Sequence, residues 1–383
     1  MSRERIGIFG ASGFVGSALC ERLHASGEFD YVAFVRGTGN AARVARLGAS
    51  IRIVDLLNAA AVREAVQECG TVVNCVLGND AAMTKGLSHL LDALRPSPKK
   101  LIHLSSISIY GEDPAPDSVS ETAPPRPGAN PYGRIKLQQD NMVMSLAGYG
   151  RPVYILCPGN IVGPYSVFSR GLAERLKRGK LPLVDGGRYP SNLIHVDNLV
   201  EAILAGVRSE NGEPGRYFVN ETEPVSWLRV FTDLAAGLNY AGACGEEVPR
   251  EAVLPYLTGA QSGPGWKDNL RALVSADLRR GLTAVPVLAS LNRWAADRYE
   301  SLEPETQMKI KAKLRWPVRI AKPAKGPQLD ERYVKVQVRR YYHSTAKLQK
   351  SLAWKAPLNY EKGTHVTLEW LRFAGLGAER WPR

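Results

Sequence analysis

Tyr132 and Lys136 stand four residues apart in Asn130-Pro-Tyr132-Gly-Arg-Ile-Lys136, which puts both on one face of a helix. A tyrosine hydroxyl of ordinary pKa ~10 is a poor proton carrier at neutral pH. An ammonium beside it stabilises the phenolate and brings general acid–base chemistry within reach. The spacing arises often by chance, so it needs company. Upstream, Gly10-Ala-Ser12-Gly13-Phe14-Val15-Gly16 follows an apolar run and opens an amphipathic one. Glycines there let the chain turn tightly and let a pyrophosphate approach the amides of a helix N-terminus. A plain turn is the competing reading, and the position between strand and helix speaks against it.

Such residues need elements to carry them, and the first half of the chain supplies a regular alternation. Strands are predicted at Arg5–Phe9, Tyr31–Val35, Ile51–Val54, Thr71–Val76 and Lys100–Leu104. Between them come helices at Gly13–Ser26, Ala41–Leu47, Ala59–Glu68 and Ala81–Leu94. The strands read as continuous apolar runs, the pattern of strands buried on both faces. This βα rhythm implies a doubly wound parallel sheet with right-handed crossovers. A loop rich in proline, serine and acids spans Gly111–Pro131, and a helix bearing Tyr132 starts at Pro131. A strand follows at Pro152–Cys157, then a helix near Phe168–Arg178 and a strand near Asn192–Val196. A helix at Asp197–Val207 and a strand at Arg216–Asn220 come next, residues 240–340 are the least legible, and order returns at His343–Phe373.

In dinucleotide-binding sheets the second strand ends on an acid that holds the adenosine ribose of NAD. Here it ends Ala33-Phe-Val-Arg36, with Arg43 following and no acid nearby. A guanidinium pairs with a 2′-phosphate where a carboxylate repels it, so NADP is favoured over NAD. An Arg36 that stacks on adenine or faces solvent is the alternative. Asp55, followed by Leu56, closes the third strand near the adenine edge, or is a simple surface acid.

Taken together, GASGFVG, SSISIYG, NPYGRIK, CPGNIVGP and LIHVDNLVEAI resemble the extended short-chain dehydrogenase/reductase family, the epimerase/dehydratase group of Rossmann enzymes. The resemblance covers residues 5–222 and resumes from Leu352 through Trp370. It implies an α/β fold, a doubly wound parallel Rossmann sheet with a smaller C-terminal substrate-binding lobe. The implied cofactor domain is 1–160 plus 190–222; the implied lobe is 161–189 plus 223–383. Matched to Tyr110-Gly111, the family's catalytic hydroxyl falls on Ser106, which would hold the substrate carbonyl or alcohol beside Tyr132. Lys136 would bind the nicotinamide ribose and lower the Tyr132 pKa. Gly10, Ser12, Gly13, Phe14, Val15, Gly16, Arg36, Asp55, Leu56, Tyr132, Lys136 and Pro158 would contact cofactor. Asn160 would meet substrate or nicotinamide, or else stabilise its loop. For Ser105 and Ser108, strand-end hydrogen bonding is the better reading. His195 is expected to be structural, and Asp197 to cap the following helix.

Two departures from the family narrow the reaction. Ser106 is followed by Ile107 and Ser108 rather than by the acid that eliminates water, which leaves oxidoreduction or epimerisation of a secondary alcohol or ketone. Ser191-Asn192 replaces the Arg-Asp pair of nucleotide-sugar enzymes, which weakens the first-choice substrate, a sugar nucleotide. A hydroxysteroid- or isoprenoid-type dehydrogenase is the alternative, and an NADP-responsive binding protein without turnover is the non-enzymatic one.

Composition agrees with a globular enzyme. Hydrophobic residues make up 44% and charged ones 23%, which excludes a disordered chain, and no run approaches a membrane span. Cys20, Cys69, Cys75, Cys157 and Cys244 are scattered without CxxC, and the histidines form no HExxH. Neither disulfides nor a metal site is expected, and a reducing cytoplasm is the default. The N-terminus has no long apolar segment of a secretory signal. Of the net charge of +13, a surplus of +11 lies in residues 308–350. Three roles compete for that basic segment: a solvated excursion, an anionic membrane contact, or recognition of an anionic substrate or nucleic acid. No nucleic-acid module accompanies it. Its loss is expected to leave the sheet domain folded. A homodimer is a further expectation from the family.

Overall fold

A computed structural model of the chain describes residues 5–147, 151–179, 181–240, 246–257 and 331–377. Strand β1 (Arg5–Phe9) is buried at every position after its first, as a strand covered on both faces must be. Six further strands join it: β2 (Asp30–Val35), β3 (Ser50–Ile53), β4 (Thr71–Asn74), β5 (Lys100–Leu104), β6 (Val153–Pro158) and β10 (Gly215–Val219). Their order across the sheet is β10-β6-β5-β4-β1-β2-β3, and every pairing is parallel. The order reverses beside β1, and open α/β sheets take their ligands at such a switch point, outside the carboxyl ends of the strands.

One face of the sheet is covered by α1 (Phe14–Ser26) and α7 (Val196–Arg208), whose Leu19, Leu23, Leu199 and Ile203 share a core with Ile6 and Ile8. The same core takes Leu348 and Leu352 of α11 (Ala346–Leu352) and Trp354 just beyond it. The opposite face is packed by α3 (Ala59–Gln67), α4 (Leu87–Leu94) and α5 (Pro131–Ala147). A third core gathers α6 (Val167–Lys177), α8 (Trp227–Gly237) and α12 (Tyr360–Phe373) around Trp227, Phe231 and Leu371. It also receives Tyr333 of α10 (Glu331–Lys335). The remaining elements are the short helices α2 (Ala42–Ala45) and α9 (Arg250–Leu257), with two parallel strand pairs. These are β7 (Asn160–Val162) with β9 (Leu193–His195), and β8 (Leu183–Val184) with β11 (Glu247–Val248).

Most predicted elements are present within a residue or two, and three differences matter. The strand near residue 194 leaves the main sheet and pairs with β7. The helix expected over Ala81–Leu94 opens with a π-helical turn at Ala82–Gly86, where the Met83 carbonyl is taken by Gln139 Nε2 at 2.6 Å. The basic segment is divided: residues 308–330 lie outside the described residues, while 331–350 are built into the body. Tyr333, Val334, Gln337, Val338, Arg339, His343 and Leu348 are all buried there. That stretch is not a solvated excursion, and its loss would open two cores. Among the described residues, no helix is long and apolar enough to cross a membrane.

Candidate active site

The glycine loop leaves β1 through Gly10, whose φ of +81° belongs to the left-handed region. A Cβ there would lie 2.8 Å from the Cys75 carbonyl group, so only glycine lets the turn sit against the strand β4 exit. A Cβ on Gly16 would fall 2.3 Å from the Gly10 carbonyl oxygen, which lets α1 start hard against the turn. Helices α3, α6, α8 and α12 are capped by the side chains of Asn58, Ser166, Ser226 and Asn359. By contrast α1 begins at Gly13 with no side-chain cap. Among the described residues its Phe14, Val15 and Gly16 amides meet no acceptor, although the Phe14 and Val15 side chains pack on the core. Ser12 is half-buried beside them. An uncapped helix N-terminus behind a glycine turn fits the pyrophosphate of a dinucleotide.

At the end of β2, Arg36 is exposed and has no hydrogen-bond or ion-pair partner among the described residues. Arg43 is committed elsewhere: its Nε donates to Glu21 at 2.7 Å, and its guanidinium lies 4.1 Å over the Tyr165 ring. Asp55 is exposed and its Oδ1 accepts the Leu57 amide at 2.9 Å. Leu56 is buried against Gly86. Pro158 is buried at the end of β6.

Ser106, Tyr132 and Lys136 come together at the carboxyl end of β5. Ser106 caps a 3₁₀ turn, Ile107–Tyr110, its Oγ accepting the Ser108 amide at 3.2 Å. Its hydroxyl also lies close enough to the Tyr132 phenol to pull that phenol's pKa down. Asn130 caps α5, with Oδ1 accepting the Tyr132 and Gly133 amides at 3.0 and 3.3 Å. Tyr132 is 38% exposed as a residue, but its hydroxyl end is drawn out of water and its pKa rises to about 12. The Ser106 hydroxyl opposes that rise, while Asp140 and Cys157 add to it. This reverses the expected downward shift by Lys136. The Lys136 ammonium is buried, donates to the Leu104 carbonyl at 2.8 Å, and is itself held down at about 8 by desolvation.

One turn further along α5, Asp140 is fully buried and bonded to Arg216 Nε at 2.8 Å. Burial raises its carboxyl, against the pull of Ser105 and Arg216. Ser105 lies beside this carboxylate and gives its backbone amide to the Leu156 carbonyl at 2.7 Å. Asn160 turns its Nδ2 to the Ser191 carbonyl at 2.8 Å, a loop-holding bond. His195, not Asp197, is the N-cap of α7: its Nδ1 accepts the Asp197 amide at 3.3 Å. A ring nitrogen on β9 reaches the amide that the sequence had assigned to a carboxylate. Beside it Glu221, 6% exposed, accepts the His195 amide at 2.7 Å, and desolvation raises its carboxyl to about 7. Asp140 was legible as the next position on the Tyr132–Lys136 helix face. Glu221 carried no local signal.

The chain matches the model of the NAD dependent epimerase/dehydratase family over residues 6–219. It is 29% identical over 286 residues to a 3-diazoavenalumate denitrifying reductase of a Streptomyces species, covering 67% of this chain and 87% of that protein. It is also 29% identical over 286 residues to a 2-alkyl-3-oxoalkanoate reductase of Shewanella oneidensis, covering 66% and 70%. In fold it is similar to a UDP-glucose 4-epimerase of Thermotoga maritima, with a TM-score of 0.63, 16% identity, and 97% and 99% of the two chains covered.

Proposed function

The chain belongs to the NAD dependent epimerase/dehydratase family, and from that premise we propose that it is an NADP(H)-preferring ketoreductase. The observation that carries the reading is the gathering of Ser106, Tyr132 and a buried Lys136 at the carboxyl end of β5, with no acid beside the serine. When bound along the glycine loop, the nicotinamide cofactor supplies the hydride. The Ser106 hydroxyl holds the substrate carbonyl oxygen. Tyr132 gives its proton to that oxygen as the carbon accepts the hydride, so the ketone becomes a secondary alcohol and the phenolate regains a proton from solvent. A phenol near 12 keeps its proton until the alkoxide forms, which suits an acid in the reductive direction. Lys136 would hold the cofactor ribose from its place under the Leu104 carbonyl.

A ketone without a nucleotide handle is the better-supported substrate, of the 3-oxoalkanoate type on which one relative is named to act. The buried Arg250 and Arg339 and the half-buried Arg216 are each paired with a carboxylate, Asp113, Glu112 and Asp140. Asn192 is buried and bonded to the Tyr341 carbonyl at 3.1 Å rather than offered to a diphosphate. The test is NADPH oxidation with a 2-alkyl-3-oxoalkanoate beside a UDP- or dTDP-sugar. Turnover of the oxo acid is expected, with Tyr132→Phe lowering it by ~10²–10⁴. Turnover of the sugar nucleotide alone would restore the sugar reading, and an unimpaired Tyr132→Phe would end the proton-donor assignment.

A further inference from the structure

Arg339 is 2% exposed, yet it lies in the most basic stretch of the sequence, where a solvent-facing charge was the simplest expectation. Its guanidinium is wrapped by the loop that separates Ser106 from Tyr132. Nε donates to the Gly111 carbonyl at 3.2 Å, and one terminal nitrogen donates to Ser108 Oγ at 3.3 Å. The same nitrogen pairs with Glu112 Oε2, and Glu112 Oε1 accepts Asn130 Nδ2 at 2.7 Å. Asn130 is the cap of α5. Ser108 in turn gives its amide to Ser106 Oγ at 3.2 Å.

Two paths therefore run out of one side chain, one of hydrogen bonds and one that starts from an ion pair. The first goes through Ser108 to Ser106; the second goes through Glu112 and Asn130 to the backbone amide of Tyr132. A buried ion pair is a weak source of stability, because desolvation offsets most of the attraction and an apolar replacement of like volume often does as well. What the planar fork supplies instead is a fixed geometry among several acceptors. We infer that Arg339 is a positioning residue for the reaction, clamping the Ser106 turn and the start of α5 at the spacing at which serine and tyrosine hold one substrate oxygen. This rests on the reading of Ser106 and Tyr132 as the reacting pair.

The experiment compares Arg339→Met, Arg339→Lys, Glu112→Gln and the Arg339→Met/Glu112→Gln pair in the full chain. For Arg339→Met, kcat on the oxo acid is expected to fall on the order of 10²-fold, the cost of misplacing reacting groups by about an ångström, while the NADPH dissociation constant stays that of the parent. The double variant should be no slower than Arg339→Met, since both changes break one chain of contacts. Arg339→Lys should recover part of the loss. Amide exchange at Tyr132 and Gly133 should quicken roughly five- to tenfold as their cap loosens, with Ile6–Phe9 of β1 exchanging as before. Unchanged kcat and exchange would overturn the inference, and so would exchange quickened equally at both places, the mark of a purely structural residue. Should Arg339→Met fail to fold, Glu112→Gln, which conserves volume, decides on the same readouts. Should the parent turn over no oxo acid, the ketone reading fails, while the exchange pattern still judges the clamp.

Discussion

At the residue scale, two side chains make sharp predictions. Arg36 is exposed at the end of β2 without a partner among the described residues, whereas Arg43 is tied to Glu21. Cofactor choice is therefore expected to turn on Arg36. The parent should bind NADPH more tightly than NADH, and Arg36→Asp should reverse the order, by roughly 10- to 150-fold for one charged pair. Fluorescence titration with both cofactors checks it, and equal affinities in the parent would refute it. Glu221 governs a pH effect. Its folded pKa of about 7 lies above its ordinary value of 4.5, so the proton stabilises the fold. That stability is complete below the ordinary carboxylate range and is lost as pH rises through about 7. Relative to Glu221→Gln, the parent should lose on the order of 3 kcal/mol between those limits in equilibrium unfolding. Parallel pH profiles would refute this. The glycines and the Tyr–Lys pair were legible from spacing alone. The upward Tyr132 shift was not, because it depends on how deeply the hydroxyl is buried and on where the Lys136 ammonium points.

Among the elements, α5 does most to assemble the site, and its contact with the Ser106 turn is unusually close. A Cβ on Gly133 would lie 2.4 Å from the Ser108 carbonyl oxygen. Helix propensity alone would make Gly133→Ala stabilising by up to ~1 kcal/mol. Overpacking against a backbone oxygen costs ~1–3 kcal/mol, and that term wins. Gly133→Ala should lower both Tm and kcat, since the push separates Tyr132 from Ser106; a rise in Tm with full turnover would refute the argument. Strands β1 and β5 were readable to the residue because each is a continuous apolar run between turns. The pairing of β7 with β9 was not, since three-residue strands carry no periodicity. Nor was the partner of Arg339: the Gly111 carbonyl it holds is 228 positions away, and charge counting along the chain cannot see across that distance.

For the molecule as a whole, the decisive feature is the return of residues 331–377 to cores built from residues 6–238. Leu348, Leu352 and Trp354 lie in the core beneath α7, and Tyr333, Leu368 and Leu371 in the third core. A buried leucine or tryptophan is worth ~2–5 kcal/mol, so three lost from one core approach the whole ~5–15 kcal/mol of a domain. A chain stopped after Leu257 should therefore show no cooperative unfolding transition. A sharp transition would mean that the sheet domain stands alone. The same return sets a timetable during synthesis. Trp354 is made roughly 150 residues after α7, which at ~5–20 residues per second is a wait on the order of ten seconds. Through that interval the nascent chain carries an apolar face with nothing yet made to cover it, a surface suited to a holding chaperone.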